Sequence, residues 1–173
     1  MMYQKALLFS DPDVAAEILA ATHPREVKHL GRQVSNFSEP LWHAQREAIV
    51  RRGSLLKFTR PVDREDGWWV GQDGQDLKAM LLATGERELV EASPMDRIWG
   101  IGFGAAKAGS VGRQRWGLNL LGKALMVVRA ELREAEAKEK GEEKEENEKG
   151  KEVEKVEEKE KGKEEEEKRK GGE

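Results

Sequence analysis

The chain has no cysteine, which excludes disulfides, thiolate catalysis and Cys-ligated zinc or iron–sulfur sites. It has no apolar run approaching the ~18 residues that a membrane-spanning helix needs. Residues 1–9, MMYQKALLF, carry neither a proper apolar signal-peptide region nor a cleavage site. The expectation is an intracellular, soluble protein, cytoplasmic or nuclear. Histidine is scarce too: the three present, His23, His29 and His43, have no carboxylate at ligand spacing except the His43/Glu47 helix pair. One His-x-x-x-Glu pair is a poor zinc signature, so no metal is expected. The glycines of GIGFGAAKAGSVG lack the Gly-Lys-Ser/Thr ending of a phosphate loop and a buried strand before it.

Net charge is also low where it would matter. The segment from Lys138 to the end holds 12 Lys or Arg against 16 Glu, a surplus of four acids, while the whole chain carries −3. The remaining body is therefore near neutral, which argues against a dedicated nucleic-acid surface. At 173 residues one folded domain is expected. Its boundary falls where composition changes, giving a domain over 1–135 and a low-complexity Glu/Lys tail over 136–173. In the tail only Val153 and Val156 could pack, and Gly141, Gly150 and Gly162 interrupt it. It reads as solvated, disordered or transiently helical, with a solubilising or weak partner-binding role as the other reading.

What is present is largely helical in pattern. Met2, Ala6 and Phe9 share a face of a first helix. Asp11-Pro12 reads as an N-cap followed by proline at the first helical position, opening a second. Pro24 restarts the chain and Gly31 stops it. Ser38-Glu39-Pro40 opens a longer helix through Arg52, where Gly53 ends or kinks it. Residues 60–74 read as a long polar surface loop holding Trp68 and Trp69. Leu77 to Thr84 forms another helix with Gly85 as its stop. Residues 116–135 form the last, with Leu118, Leu121, Leu125 and Val128 on one side. Leu89 and Val90 look like the body of a short strand, broken by Ser93-Pro94. The fold class is α+β, mostly helical, with helices around a small residual β-sheet and a disordered charged tail.

The densest chemistry lies in residues 84–104, TGERELVEASPMDRIWGIGFG. Glu91, Ser93, Asp96 and Arg97 cluster at a strand end and its loop, followed at once by Trp99 and Gly100. An indole offers a flat stacking face, and glycine lets backbone approach a ligand; the plainer alternative is a loop with an ordinary buried tryptophan. Trp42 and Trp116 read as core. Arg32 can fork onto a phosphate or carboxylate or simply cap a helix C-terminus. Asn119 can hydrogen-bond a ribose or base edge, or serve as a polar residue at a helix start. Ser93 reads as loop geometry more than as a nucleophile. Lys5 sits among Tyr3, Leu7, Leu8 and Phe9. A lysine held against apolar surface can act as a Schiff-base nucleophile, or it can merely snorkel from an amphipathic helix.

Four separated blocks, residues 1–9, 31–58, 84–104 and 116–129, occur in the order and with the wording of one family. They make the chain resemble the NADAR family, the YbiA-like N-glycosidases linked to riboflavin-pathway intermediates and ADP-ribose chemistry. The resemblance covers the chain to about Arg133. It implies that Lys5, in YQKA, is catalytic, and it favours a pocket role for Arg32. Family members carry a further segment before MMYQKA, with an Asn-Phe-bearing strand and a Glu-His-Tyr acid that would act beside the lysine. Within this chain Asp96, and after it Glu91, are the acids left to assist a leaving group. The binding set expected is Arg32, Ser93, Trp99, Gly100 and Asn119. The implied substrate is a small nucleotide-like or ADP-ribose-type molecule, with water as final acceptor and no cofactor. The competing reading is a catalytically impaired nucleotide-binding or partner-binding domain.

Overall fold

The computed structural model describes residues 1–60 and 76–170, with side chains described to residue 146. The tryptophan pair at 68–69 and most of the expected 60–74 loop lie outside the described residues. Two compact units, Met1–Ala130 and Glu131–Glu173, divide the chain. Residues 131–170 of the second belong to the last helix.

The first three helices form an N-terminal cluster. α1 (Met2–Leu8) packs on α2 (Pro12–Ala20) and α3 (Pro24–Gln33). Asp11 caps α2 as its sequence implies, its Oδ1 accepting from Val14 N at 3.1 Å with Pro12 at the first helical position. The other carboxylate oxygen accepts from Ser35 N at 2.8 Å, which ties the start of α2 to the segment after α3. Ala6, Phe9, Ala15, Ile18 and Val34 are buried together, with Met2, Tyr3 and Trp42 packed around them. Trp42 therefore borders the core, as its sequence context implies. Burying side chains such as Phe9 and Ile18 contributes about 1.5–3 kcal/mol each.

Two expected stops are not stops. α3 passes through Gly31 to Gln33, because Gly31 is buried against the Met2 side chain. The missing β-carbon there permits close helix packing and does not end the helix. α4 (Glu39–Thr59) passes through Gly53 and ends only at Thr59. α5 (Leu77–Ala83) ends as expected, at Gly85 with φ +60°. α6 (Ala105–Ala108) and a 3₁₀ turn at Arg113–Arg115 lead toward α7 (Leu120–Lys170).

The described residues contain no strand, so the expected sheet around Leu89-Val90 does not appear in them. That segment's backbone is satisfied in another way. Glu91 N donates to Asn119 Oδ1 at 3.0 Å, and Asn119 Nδ2 donates to Leu89 O at 2.9 Å. One side-chain amide thus takes the place of a ladder partner. The last helix also starts later than its apolar pattern suggests. Residues 116–119 are not helical, and α7 begins only at Leu120, after Asn119 turns the chain at φ +52°. Beyond Ala135 the helix is Glu/Lys-rich, exposed from Ala137 to Glu146, and supported by neighbour pairs such as Lys138–Glu142. Among the described residues no helix is long and apolar enough to cross a membrane.

Candidate active site

The acid-bearing loop is built onto the start of α7. The first N–H groups of an α-helix have no partners within the helix. Here the loop's carbonyls accept from the residues leading into α7 and from its first two. Leu118 N donates to Arg97 O at 2.8 Å, Asn119 N to Gly100 O at 3.2 Å, Leu120 N to Ile98 O at 3.2 Å and Leu121 N to Trp99 O at 3.1 Å. Asp96 folds the loop from within, its Oδ1 accepting from Trp99 N at 2.7 Å and Ile98 N at 2.9 Å. Its second carboxylate oxygen takes no part in that turn. Ile101, fully buried, donates its N–H to Glu91 O at 2.9 Å and closes the loop on itself.

A cavity of about 720 Å³ lies beside this loop, a volume typical of small-molecule sites. Glu91, Asp96 and Trp99 line one side; Leu121 and Leu125 of α7 and residues 49–58 of α4 contribute others. The start of α1 and Val27 and Lys28 of α3 complete the wall. A second cavity of about 340 Å³, walled by Leu77, Leu81, Leu89 and Val90, also borders Glu91. The acids and the indole named from the sequence therefore share one concave site.

The other sequence candidates lie in several places. Lys5 is not among the residues lining the large cavity. Its Nζ donates to Gly31 O at 2.6 Å and stands 4.4 Å from the Phe37 ring centre and 5.8 Å from that of Trp42. Loss of hydration there lowers its pKa from the ordinary 10.5. Arg32 is exposed near the end of α3 and does not line the cavity. Ser93 donates its N–H to Glu91 O at 2.9 Å and shapes the turn. Gly100 is buried, and a β-carbon there would stand 2.6 Å from Glu91 O and 2.9 Å from Asp96 O. Asn119 is 5% exposed with both ends of its amide engaged by Leu89 and Glu91. That geometry is one of loop support.

Sequence reasoning passed over Arg46, which is buried on α4. The signal was available: position 46 follows Trp42 by four and precedes Ile49 and Val50 by three and four, which puts an arginine on an apolar stripe. No group of three or more His, Asp or Glu that could hold a metal ion occurs among the described residues. His23 caps α3 by accepting from Arg25 N, and His43 faces Glu39 at 3.6 Å, not Glu47.

A family model for the NADAR domain matches residues 1–133. The chain belongs to the NADAR family. Among its relatives, N-glycosidase R617 of Acanthamoeba polyphaga mimivirus is 40% identical over 132 residues, covering 76% of this chain and 70% of that protein. Protein irg-1 of Caenorhabditis elegans is 38% identical over 134 residues, and the match spans 57% of its length. N-glycosidase YbiA of Escherichia coli (strain K12) is 31% identical over 130 residues, covering 75% of this chain and 67% of that protein. The NADAR match ends three residues after the first compact unit does.

Proposed function

We propose that this NADAR domain hydrolyses an N-glycosidic bond between a ribose or ribose phosphate and an amine. The substrate would be a riboflavin intermediate or an ADP-ribosylated base. Relatives named N-glycosidase support the reaction class, and one named riboflavin biosynthesis protein PYRR, from Zea mays, supports the riboflavin side. The observation that carries the reading is the meeting of two carboxylates and an indole, Glu91, Asp96 and Trp99, on one cavity of substrate size.

The chemistry runs in two halves. Ring opening of the ribosylated amine, its N–H proton passing to the ring oxygen, exposes C1 as an imine, which the neutral amine of Lys5 attacks to form a C–N bond. The old C–N bond then breaks, the departing amine takes a proton from the Asp96 or Glu91 carboxylic acid, and a Lys5 iminium remains. Water adds to that iminium, the carboxylate takes back a proton, and the sugar leaves with the Lys5 amine restored. Partial dehydration favours the neutral, nucleophilic form of Lys5. Trp99 supplies a stacking face for the base, and an acid placed at the leaving group is worth ~10²–10⁴ in rate.

A second reading, ligand binding without turnover, is favoured by one observation. Lys5 is held on the Gly31 carbonyl and does not line the cavity that the acids share. The deciding experiment is base release from a ribosylated amine by the parent and by Lys5→Ala, with borohydride reduction and mass spectrometry of the product. Turnover lost in Lys5→Ala together with a sugar adduct on Lys5 supports the hydrolase. Activity within threefold of the parent, a barrier change under ~0.7 kcal/mol, removes Lys5 from the mechanism. Saturable binding with no release by either protein leaves the second reading.

A further inference from the structure

The smaller cavity, of about 340 Å³, differs from the larger in what its walls offer. Leu77, Met80 and Leu81 of α5 line it together with Leu89 and Val90. Polar atoms of that wall are engaged within the protein. Leu81 O accepts from Thr84 Oγ1 at 2.6 Å, and the same hydroxyl accepts from Arg129 Nη1 at 2.7 Å. Leu89 O accepts from Asn119 Nδ2 at 2.9 Å. An apolar cavity of about 150 Å³ stays dry and binds benzene. The volume here is about twice that, room for two fused rings.

The two cavities adjoin. Lys57, Phe58, Glu91, Leu121 and Leu125 line both, and Lys57 and Glu91 are the charged residues of the smaller one among the described residues. The backbone of Glu91 is occupied: its N–H donates to Asn119 Oδ1, and its carbonyl accepts from Ser93 N and Ile101 N. Its carboxyl group is what it has left to offer a ligand. Asp96 and Trp99 line only the larger cavity. One carboxylic acid thus stands where a polar compartment meets an apolar one.

We propose that the smaller cavity takes the apolar ring of an aromatic leaving amine, while the sugar to which that amine is joined lies in the larger cavity. The inference rests on the N-glycosidase reading for the bond that is cut, and it adds a class of substrate: N-ribosides of aryl amines whose far edge carries no hydrogen-bonding group. An amine with a polar edge would leave its donors and acceptors without partners there, which is unfavourable. With the ring in one compartment and the sugar in the other, the bond between them lies at the boundary that Glu91 lines. In the reaction the C1–N bond breaks, the oxygen of water ends on C1, and the amine leaves with a proton from water.

Binding tests the site without turnover. The full chain is titrated with 1-naphthylamine and with 5-aminouracil, an amine whose ring edge is polar, by fluorescence, calorimetry and thermal shift. The parent should bind 1-naphthylamine about tenfold or more tightly than 5-aminouracil, because two fused carbocyclic rings bury apolar area that the pyrimidine lacks. Val90 is half-buried and lines only the smaller cavity, so Val90→Phe should fill it and abolish the preference. Ile49 lines only the larger one, and Ile49→Phe should keep the preference. Equal affinity for 1-naphthylamine in the parent and in Val90→Phe overturns the proposal, as does a parent that binds it no better than 5-aminouracil. If Val90→Phe does not fold, Leu77→Phe, on the same wall, is read in the same way. Amine release from the N-riboside of each amine is then followed. A chain that binds 1-naphthylamine in the smaller cavity and releases neither amine keeps the binding site and loses the hydrolase reading. Release of 5-aminouracil with no affinity for 1-naphthylamine does the reverse.

Discussion

One substitution, glycine to alanine, should have opposite signs at two places in this protein. At Gly53, exposed within α4, a β-carbon would meet nothing within 4 Å. Alanine there removes unfolded-state freedom and improves helix propensity, so Gly53→Ala should stabilise by about 0.5–1 kcal/mol. At Gly122, in the first turn of α7, the same propensity gain is available and should be overwhelmed. The new β-carbon would collide with the Leu89 carbonyl oxygen and lie 2.5 Å from Asn119 Nδ2. One of those obstacles is backbone and the other is the amide that holds the Leu89–Glu91 segment. Overpacking of this kind costs about 1–3 kcal/mol, and each buried polar group left without a partner costs about 1–3 kcal/mol more. After subtracting the propensity gain, Gly122→Ala should lose roughly 1–5 kcal/mol. With about 3–6 °C of melting temperature per kcal/mol for a domain of this size, the two variants should fall on opposite sides of the parent. Thermal and urea unfolding followed by circular dichroism would measure both. A Gly122→Ala protein that melts at or above the parent would refute the clamp.

Trp99→Ala should weaken ligand binding about 5- to 150-fold, since base stacking on an aromatic contributes ~1–3 kcal/mol; equal dissociation constants for variant and parent, read by calorimetry, would remove the indole from the site. Asp11 makes stability depend on acid: hydrogen bonds from the Ser35 and Val14 amides hold its pKa below the ordinary 3.8. A carboxylate lowered in the folded state contributes stability above its unfolded pKa and loses it as pH falls through the folded one. Asp11→Ala should therefore be clearly less stable than the parent at neutral pH, and the gap should narrow below pH 3.8; a gap unchanged by pH in denaturant titrations would contradict this.

Local signals in the sequence were legible where a cap or a proline made them so. Asp11-Pro12, Pro24 and Gly85 each mark a helix boundary that the structure keeps. The four blocks that carry the family resemblance agree with the match over residues 1–133. Gly31 and Gly53 misled because a glycine's role depends on what packs beside it: Gly31 makes room for Met2, and Gly53 lies mid-helix in open space. The strand expected at Leu89-Val90 was an inference from propensity. Its partner in the fold is the amide of Asn119, some thirty residues along, which no local pattern announces. Of the site, the grouping of Glu91, Asp96 and Trp99 could be read from adjacency. The absence of Lys5 from the cavity lining could not, because it depends on how α1 meets α3 and α4.

The loop that bears Asp96 and Trp99 supplies the carbonyls that complete the amino end of α7. Loop and first helical turn therefore open as one cooperative unit. The amide protons of Leu118, Asn119, Leu120 and Leu121 should exchange with solvent at a common rate. A ligand that settles on Trp99 should slow that exchange along the helix, including at amides it never touches. The acid-bearing loop cannot behave as a loose flap, because loosening it would unwind the beginning of the longest helix among the described residues.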